Sequence, residues 1–576
     1  MKRLYKIAAV SLASLALVGC TNLDETLYDT VSSSNYYNTR DNVIAVAFRA
    51  FDHGYWSVQW RQVLNEESGD QLITPTRDGW FDDGGIWRRY HDHLWDVDMG
   101  HDIADEWNNL FQGIELCTVS IEELQGVDFG RFNISQEEGE NLIAQNRALR
   151  AWFYLRALDE FRNLPLVKSF NDQSQNTLSQ VEPKVIYDYI KEDLDFCIHN
   201  LIKKENTGGN GILQGQFTQA AAATLLARLY INANVYIGED HFADAEALCQ
   251  EILDGKYGTY KVADRWDEAY DWNNETSDEV IFAFPSSGAH SYHMWARRTY
   301  WATVPHQAGK YFNDQKSKAG GHNCMYACSP SYDLNGVLYE YKLGMTVQKF
   351  RKYPGDERLK LYKNLGNSKR EGMMLFGKLP YKEDGVTKYV KAPQMPYELC
   401  IRDAVGQFYD LPEGQWPSNK DSRMENGDMN SGYHFVKYPM YSDDDIGQIE
   451  SDYVEIRLPE VIYMLAECKV RKGDVSTAGK LLNTVRKRNY PKANHTQVLY
   501  APDGNATLDM EEMLDEWGRE FFAEGRRRID LIRFGRFTEA WWDKNPDPGD
   551  HTIIFPIMRK VLDANPALKQ NPGYNS

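Results

Sequence analysis

The strongest constraint on this chain is helical spacing that returns in pairs. Ala222, Leu225, Leu226, Leu229 and Tyr230 recur at steps of three and four, and so do Ala245, Leu248, Cys249 and Ile252. Each set lies on one face of an α-helix. A polar turn, Gly238-Glu239-Asp240, separates them. A hairpin of this kind carries an apolar face that it cannot bury alone, so the chain must stack further hairpins against it.

Those further hairpins are legible. Residues 457–488 form one, turning at Lys472-Gly473-Asp474 and carrying Ala478, Leu481, Leu482 and Val485 on one face. Residues 140–162 pair with 186–203, where Ile190, Leu194, Cys197, Ile198 and Leu201 keep the same period, and residues 40–65 pair with 106–125. The stretch RALRAWFYLRALDEF at 147–161 is apolar on most faces and is expected to be deeply packed, with Pro165 ending its helix. The unit at 218–253 is close to the length of about 34 residues of a tetratricopeptide repeat. The expected fold is mostly α, built from tetratricopeptide-like helical hairpins. From about 255 to 450 the periodicity breaks up. Ser286-Ser287-Gly288, Gly320-Gly321 and the run from Pro412 to Gly432 mark a loop-rich region with short strands at most. Loops this long in a compact protein are usually functional or disordered, and the many aromatic residues here argue for order.

The first residues read as an export signal. Lys2, Arg3 and Lys6 precede an apolar stretch, Ile7 to Val18, that is too short to span a bilayer. Leu17-Val18-Gly19-Cys20 resembles a bacterial lipobox, in which Cys20 takes acyl chains and becomes the mature N-terminus. Several acyl chains anchor far more firmly than one. The layout is therefore a signal peptide at 1–19, a lipidated tether at 20–35 and one folded body at 36–576. A net charge of −20 leaves no dense basic surface for nucleic acid. Seven cysteines remain after Cys20, an odd number at low density. Cys197, Cys249 and Cys468 fall on apolar helical faces, and Cys324 and Cys328 are close enough for a local disulfide.

Residues 70–107 hold Trp80, Trp87, Trp95 and Trp107 among Gly, Asp and Arg. Sugar rings pack their apolar faces on aromatic planes and their hydroxyls on charged or amide partners, and this segment offers both. Exposed aromatic patches usually mean binding. Trp87 is the first choice for a ligand contact because Gly84-Gly85 before it allows close approach, with Trp80 and Trp95 beside it. The alternative is a loop that plugs these rings into the core. Tyr292, Trp295, Tyr300 and Trp301, near Arg297 and Arg298, could form a facing wall or pack inside. Arg370 and Tyr397 are weaker candidates. Asp70 and Arg77 could bond a ligand, though a salt bridge bracing the loop suits them better. His91, Asp92, His93 and His101 suggest polar loop residues rather than a metal site. No catalytic motif stands out: there is no Gly-x-Ser-x-Gly, His-Glu-x-x-His or phosphate loop.

Four segments resemble the SusD/RagB family of nutrient-uptake outer-membrane lipoproteins. They are ALRAWFYLRALDEFRNLPLV at 148–167, RLPEVIYMLAECKVRKGD at 457–474, EEMLDEWGREFFAEGRRRIDLIRFGRF at 511–537 and FPIMRKVLDANPALKQNPGY at 555–574. The third is read as an Arg-rich helix on which Arg519, Arg526, Arg527 and Arg528 pair with Glu520 and Glu524. The fourth is read as a closing strap. The resemblance implies a SusD-like body of helical pairs with a loop-rich ligand region, no cofactor and no enzymatic activity. It implies glycan binding at the cell surface, attachment to the outer membrane through Cys20, and service as a hinged lid on a SusC-like TonB-dependent transporter. A peptide-binding uptake lipoprotein and a helical-repeat scaffold are the alternatives, and a glycoside hydrolase is the more distant one.

Overall fold

Thr39 opens the first long helix, α1 (Arg40–Glu67), by accepting the Asn42 amide at 3.2 Å while the Asn42 side chain accepts the Thr39 amide. This reciprocal cap satisfies two of the donors that a helix start leaves free. The structure is a computed structural model, and it describes residues 38–79, 82–99, 102–169, 178–206, 215–286, 308–312, 326–366, 369–392, 395–418, 421–439 and 450–575. The expected signal peptide, Cys20 and the tether lie outside the described residues.

After α1 come the short α2 (Ile86–His91), α3 (Asp102–Gln125), α4 (Gln136–Phe161), α5 (Pro183–Asn200), α6 (Gln219–Ile231) and α7 (Phe242–Leu253). After the loop-rich middle the chain returns as α8 (Leu458–Arg471) and α9 (Val475–Arg486). Neighbours in this series pack on each other: α1 on α3, α3 on α4, α4 on α5, α5 on α6, α6 on α7, α7 on α8 and α8 on α9. The stack left at Leu253 therefore resumes at Leu458, and the irregular region is an insertion into a continuous helical array. The expected hairpins and their turns appear where the periodicity puts them. From Ala148 to Phe161, α4 is buried throughout. Helices α3 and α4 meet at Gly113, where a Cβ would lie 2.2 Å from the Phe153 ring.

The middle region is held by paired strands too short to form a layer. The longest pair is Val280–Phe284 against Tyr453–Arg457, antiparallel with Tyr453 opposite Phe284. All ten residues are buried. The Leu458 amide then donates to Glu279 O at 2.9 Å, so α8 starts directly off this ribbon. Leu72–Ile73 pairs with Ala327–Cys328 and ties the loop after α1 to the insertion.

Ionic contacts run through the centre. Arg61 binds Glu455 at 2.6 Å, Arg457 binds Glu520 at 2.6 Å and Glu524 at 2.9 Å, and Arg533 binds Glu467 at 2.9 Å. The expected single Arg-rich helix is in fact two, α10 (Met510–Glu520) and α11 (Arg527–Arg533). Ala523 and Gly525 take positive φ between them, which breaks the helix and sends the arginines to different buried partners. Arg519 pairs with Glu512 and Glu516, Arg526 with Glu460 and Asp530, Arg527 with Asp70 and Arg528 with Asp159. Glu520 and Glu524 serve Arg457 instead.

The tail closes the body. Phe555 N donates to Glu160 O at 2.7 Å, Arg559 N to Val97 O at 3.0 Å, and Asn571 Nδ2 to Phe161 O at 2.9 Å. Among the described residues no helix is long and apolar enough to cross a membrane. Cys197, Cys249, Cys328 and Cys468 are buried free thiols, and Cys324 lies outside the described residues.

Candidate functional site

The segment between α1 and α3 is less open than its composition suggests. Gly84 and Gly85 take φ of 67° and 78°, and they turn the chain into α2. Trp87 follows on the inner face of α2, 6% exposed, its ring 6.3 Å from that of Tyr90. Trp95 is 4% exposed; its indole N–H donates to the Tyr574 hydroxyl at 2.7 Å and its ring lies 4.9 Å from Phe555. Both rings serve the interior instead of an exposed surface, because a six-residue helix and the tail strap give them apolar partners.

The other sequence candidates are distributed as follows. Asp70 is buried and takes Arg527 at 2.6 Å and the Gly344 amide at 2.7 Å, a brace inside the fold. Arg370 is buried against Trp266 and donates to Val436 O and Lys437 O, both at 2.8 Å. His91 and His93, expected as polar loop residues, are fully buried: His91 bonds Trp542 O at 2.8 Å, and His93 bonds Asp547 and Ser68 O. Trp80, His101, Tyr292, Trp295, Tyr300 and Trp301, with Arg297 and Arg298, lie outside the described residues. Among the described residues no three His, Cys, Asp or Glu side chains converge to hold a metal ion.

Arg77 and Tyr397 do come together, around two residues that the sequence reading missed, Asp78 and Tyr409. Arg77 is buried and donates to Ser431 O at 2.7 Å and Asp428 O at 3.2 Å, which fixes the chain just before Asp78. The next residue, Asp78, accepts the Tyr397 hydroxyl on Oδ2 at 2.6 Å, while its Oδ1 has no partner. Burial, with Asp428 and Asp78 close by, holds the Tyr397 hydroxyl well above its ordinary pKa, so it is a firm donor. Tyr409 stands edge-on to Tyr397 at 5.9 Å and is 42% exposed. Asp428 positions Tyr409 by accepting the amides of Phe408 at 2.7 Å and Tyr409 at 2.6 Å. Burial outweighs those bonds and moves the Asp428 carboxyl up to about 6. Above this rim, a Cβ placed on Gly79 or Gly84 would meet nothing within 4 Å. The arrangement is an exposed ring beside a buried carboxylate oxygen without a partner, with open space at Gly79 and Gly84. The exposed ring can stack an apolar ring face. The missed residues have a weak signal: Tyr409 sits in GQFYDLPEGQW, irregular sequence without period, and Asp78 directly precedes a glycine.

Comparison with known proteins agrees with this architecture. Residues 278–553 match the family model described as the SusD family. A curated relative, the starch-binding protein SusD of Bacteroides thetaiotaomicron, is 24% identical over 532 residues, 84% of this chain and 83% of the relative. A laminarin-binding SusD-like protein superposes with a TM-score of 0.64 at 18% identity, covering 93% of this chain and 100% of that one. A SusD homologue from Bacteroides thetaiotaomicron gives 0.68 at 17% identity, covering 94% and 98%. The surface glycan-binding protein A of Bacteroides uniformis gives 0.63 at 17%, covering 92% and 99%. The helical stack, its loop-rich insertion and these matches lead to one conclusion: the chain is similar to the SusD family over residues 278–553 and shares the fold of SusD-like proteins along nearly its whole length.

Proposed function

We propose that this protein is a cell-surface glycan-binding lipoprotein that captures oligo- or polysaccharide and hands it on for uptake. The observation that carries this reading is likeness along nearly the whole chain to proteins described as binding starch, laminarin and surface glycans. The rim of Asp78, Tyr397 and Tyr409 supplies chemistry that suits a saccharide. Sequence features supply the rest. Cys20 in its lipobox would anchor the protein in the outer membrane, and the family resemblance points to a SusC-like TonB-dependent transporter as the partner on which it acts as a lid.

Isothermal titration of the full-length protein with a panel of neutral and acidic polysaccharides tests the reading. Saturable binding without release of reducing ends is the expected result. Indifference to every saccharide would overturn it, and steady release of reducing ends would make the protein a hydrolase. Co-purification of a TonB-dependent transporter, lost in Cys20→Ala membranes, tests the anchored partnership.

A further inference from the structure

A cleft of about 530 Å³ opens at the C-terminal end of α2. Its volume falls within the range of about 300–1,000 Å³ typical of small-ligand sites. Leu94 and Tyr341 stand at its mouth, 61% and 38% exposed, so two apolar surfaces face solvent where an isolated monomer has no use for them. Polar groups sit beside them. Asp92 makes no side-chain hydrogen bond among the described residues. Asp543 uses Oδ2 to accept the Met424 amide at 2.8 Å, and its other oxygen makes no hydrogen bond among the described residues. Trp541, in the wall, carries a buried indole N–H with no protein acceptor.

The cleft and the rim are neighbours. Met424 lies between them, its carbonyl accepting the Thr76 amide at 2.8 Å on the rim side and its amide bonding Asp543 on the cleft side. The exposed pair Arg88–Glu425, at 2.7 Å, forms the sill. A six-residue helix rises only about 9 Å, so a chain of a few sugars can reach from one end of α2 to the other. Acidic and basic groups alternate around the cleft, which favours an uncharged ligand with many hydroxyls over an anion or a cation.

We propose that this cleft is a second saccharide subsite, with Tyr341 and Leu94 as its stacking surface and Asp92 and Asp543 as hydroxyl acceptors, and that it extends the rim so that longer chains bind more tightly. The inference rests on the glycan-binding reading and adds to it a dependence on chain length. Two linked contacts raise affinity through effective concentration even when each is weak.

The test is a titration series on the full-length protein with gluco-oligosaccharides of two to eight units, α-linked and β-linked. Wild type is expected to gain at least tenfold in affinity along the series that binds. Tyr341→Ala and Asp92→Asn should each flatten that gain while leaving disaccharide binding at the rim unchanged. Tyr409→Ala should weaken disaccharides and leave a residual affinity that only the longer chains show. Length dependence unaltered in both cleft variants, or already absent in wild type that binds disaccharides, overturns the subsite and leaves the glycan reading standing. Wild type that binds no member, nor any other saccharide, overturns the reading itself. Tyr341 is partly exposed, so loss of fold does not confound its variant, and its melting curve checks this.

Discussion

Arg61 on α1 and Glu455 on the buried ribbon meet at 2.6 Å although 394 residues separate them in sequence. Glu455 also accepts the Trp152 indole N–H at 3.0 Å and Arg228 at 3.1 Å. It thereby joins α1, α4, α6 and the return of the chain after the insertion. Burial alone would raise its carboxyl, but Arg61 and Arg228 outweigh burial and hold it at about 2.

Removing that carboxylate strips the buried Arg61 guanidinium of its carboxylate and leaves Arg228 to Glu460 alone. Glu455→Ala is expected to cost about 3–5 kcal/mol, as for other broken buried ion pairs. Urea denaturation at neutral pH measures it, and a loss under 1 kcal/mol would mean that water relieves the arginines.

A second prediction concerns pH. Glu66 is buried, and burial, offset only in part by the Gly525 amide at 2.6 Å, moves its carboxyl up to about 7. An unfolded chain releases that proton near pH 4.3. Between these values the folded state holds more protons, so stability falls as pH rises. Glu66→Gln should match wild type at pH 4 and exceed it by about 1–3 kcal/mol at pH 8. Equal melting profiles across that window would show that Glu66 is ionised in the fold.

Two aromatic variants separate core from rim. Trp87→Ala empties a buried site and is expected to cost about 3–5 kcal/mol of stability. Tyr409→Ala should leave stability within about 0.5 kcal/mol and weaken glycan about tenfold, or about 1.4 kcal/mol. Paired calorimetry and titration check both, and the reverse pattern would place the ligand over α2.

The helical stack was legible because periodicity reports burial directly. Ala222 to Tyr230 and Ala245 to Ile252 needed only a count of steps, and Gly473 marked its turn by itself. The same logic failed in the loops. Trp87 looked exposed because six residues are too few to show a helical period, so Gly84 and Gly85 read as an opening instead of as the start of α2. Asp70 was read correctly as a brace, but its partner Arg527 lies 457 residues away, a distance that no local pattern spans. The 511–537 segment looked like one helix because its charges suited helical pairing, while the break at Ala523 rests on backbone conformation that composition does not announce. Tyr409 and Asp78 became neighbours only through the fold.

The tail strap binds the front of the molecule to its back. The carbonyl of Phe161 waits for Asn571, 410 residues downstream, and the floor under Trp95 waits for Tyr574. Synthesis runs in one direction, so these contacts in the front half of the molecule can form only after residues 555–574 have been made. Removing residues 555–574 would therefore damage the oldest part of the chain as surely as the newest.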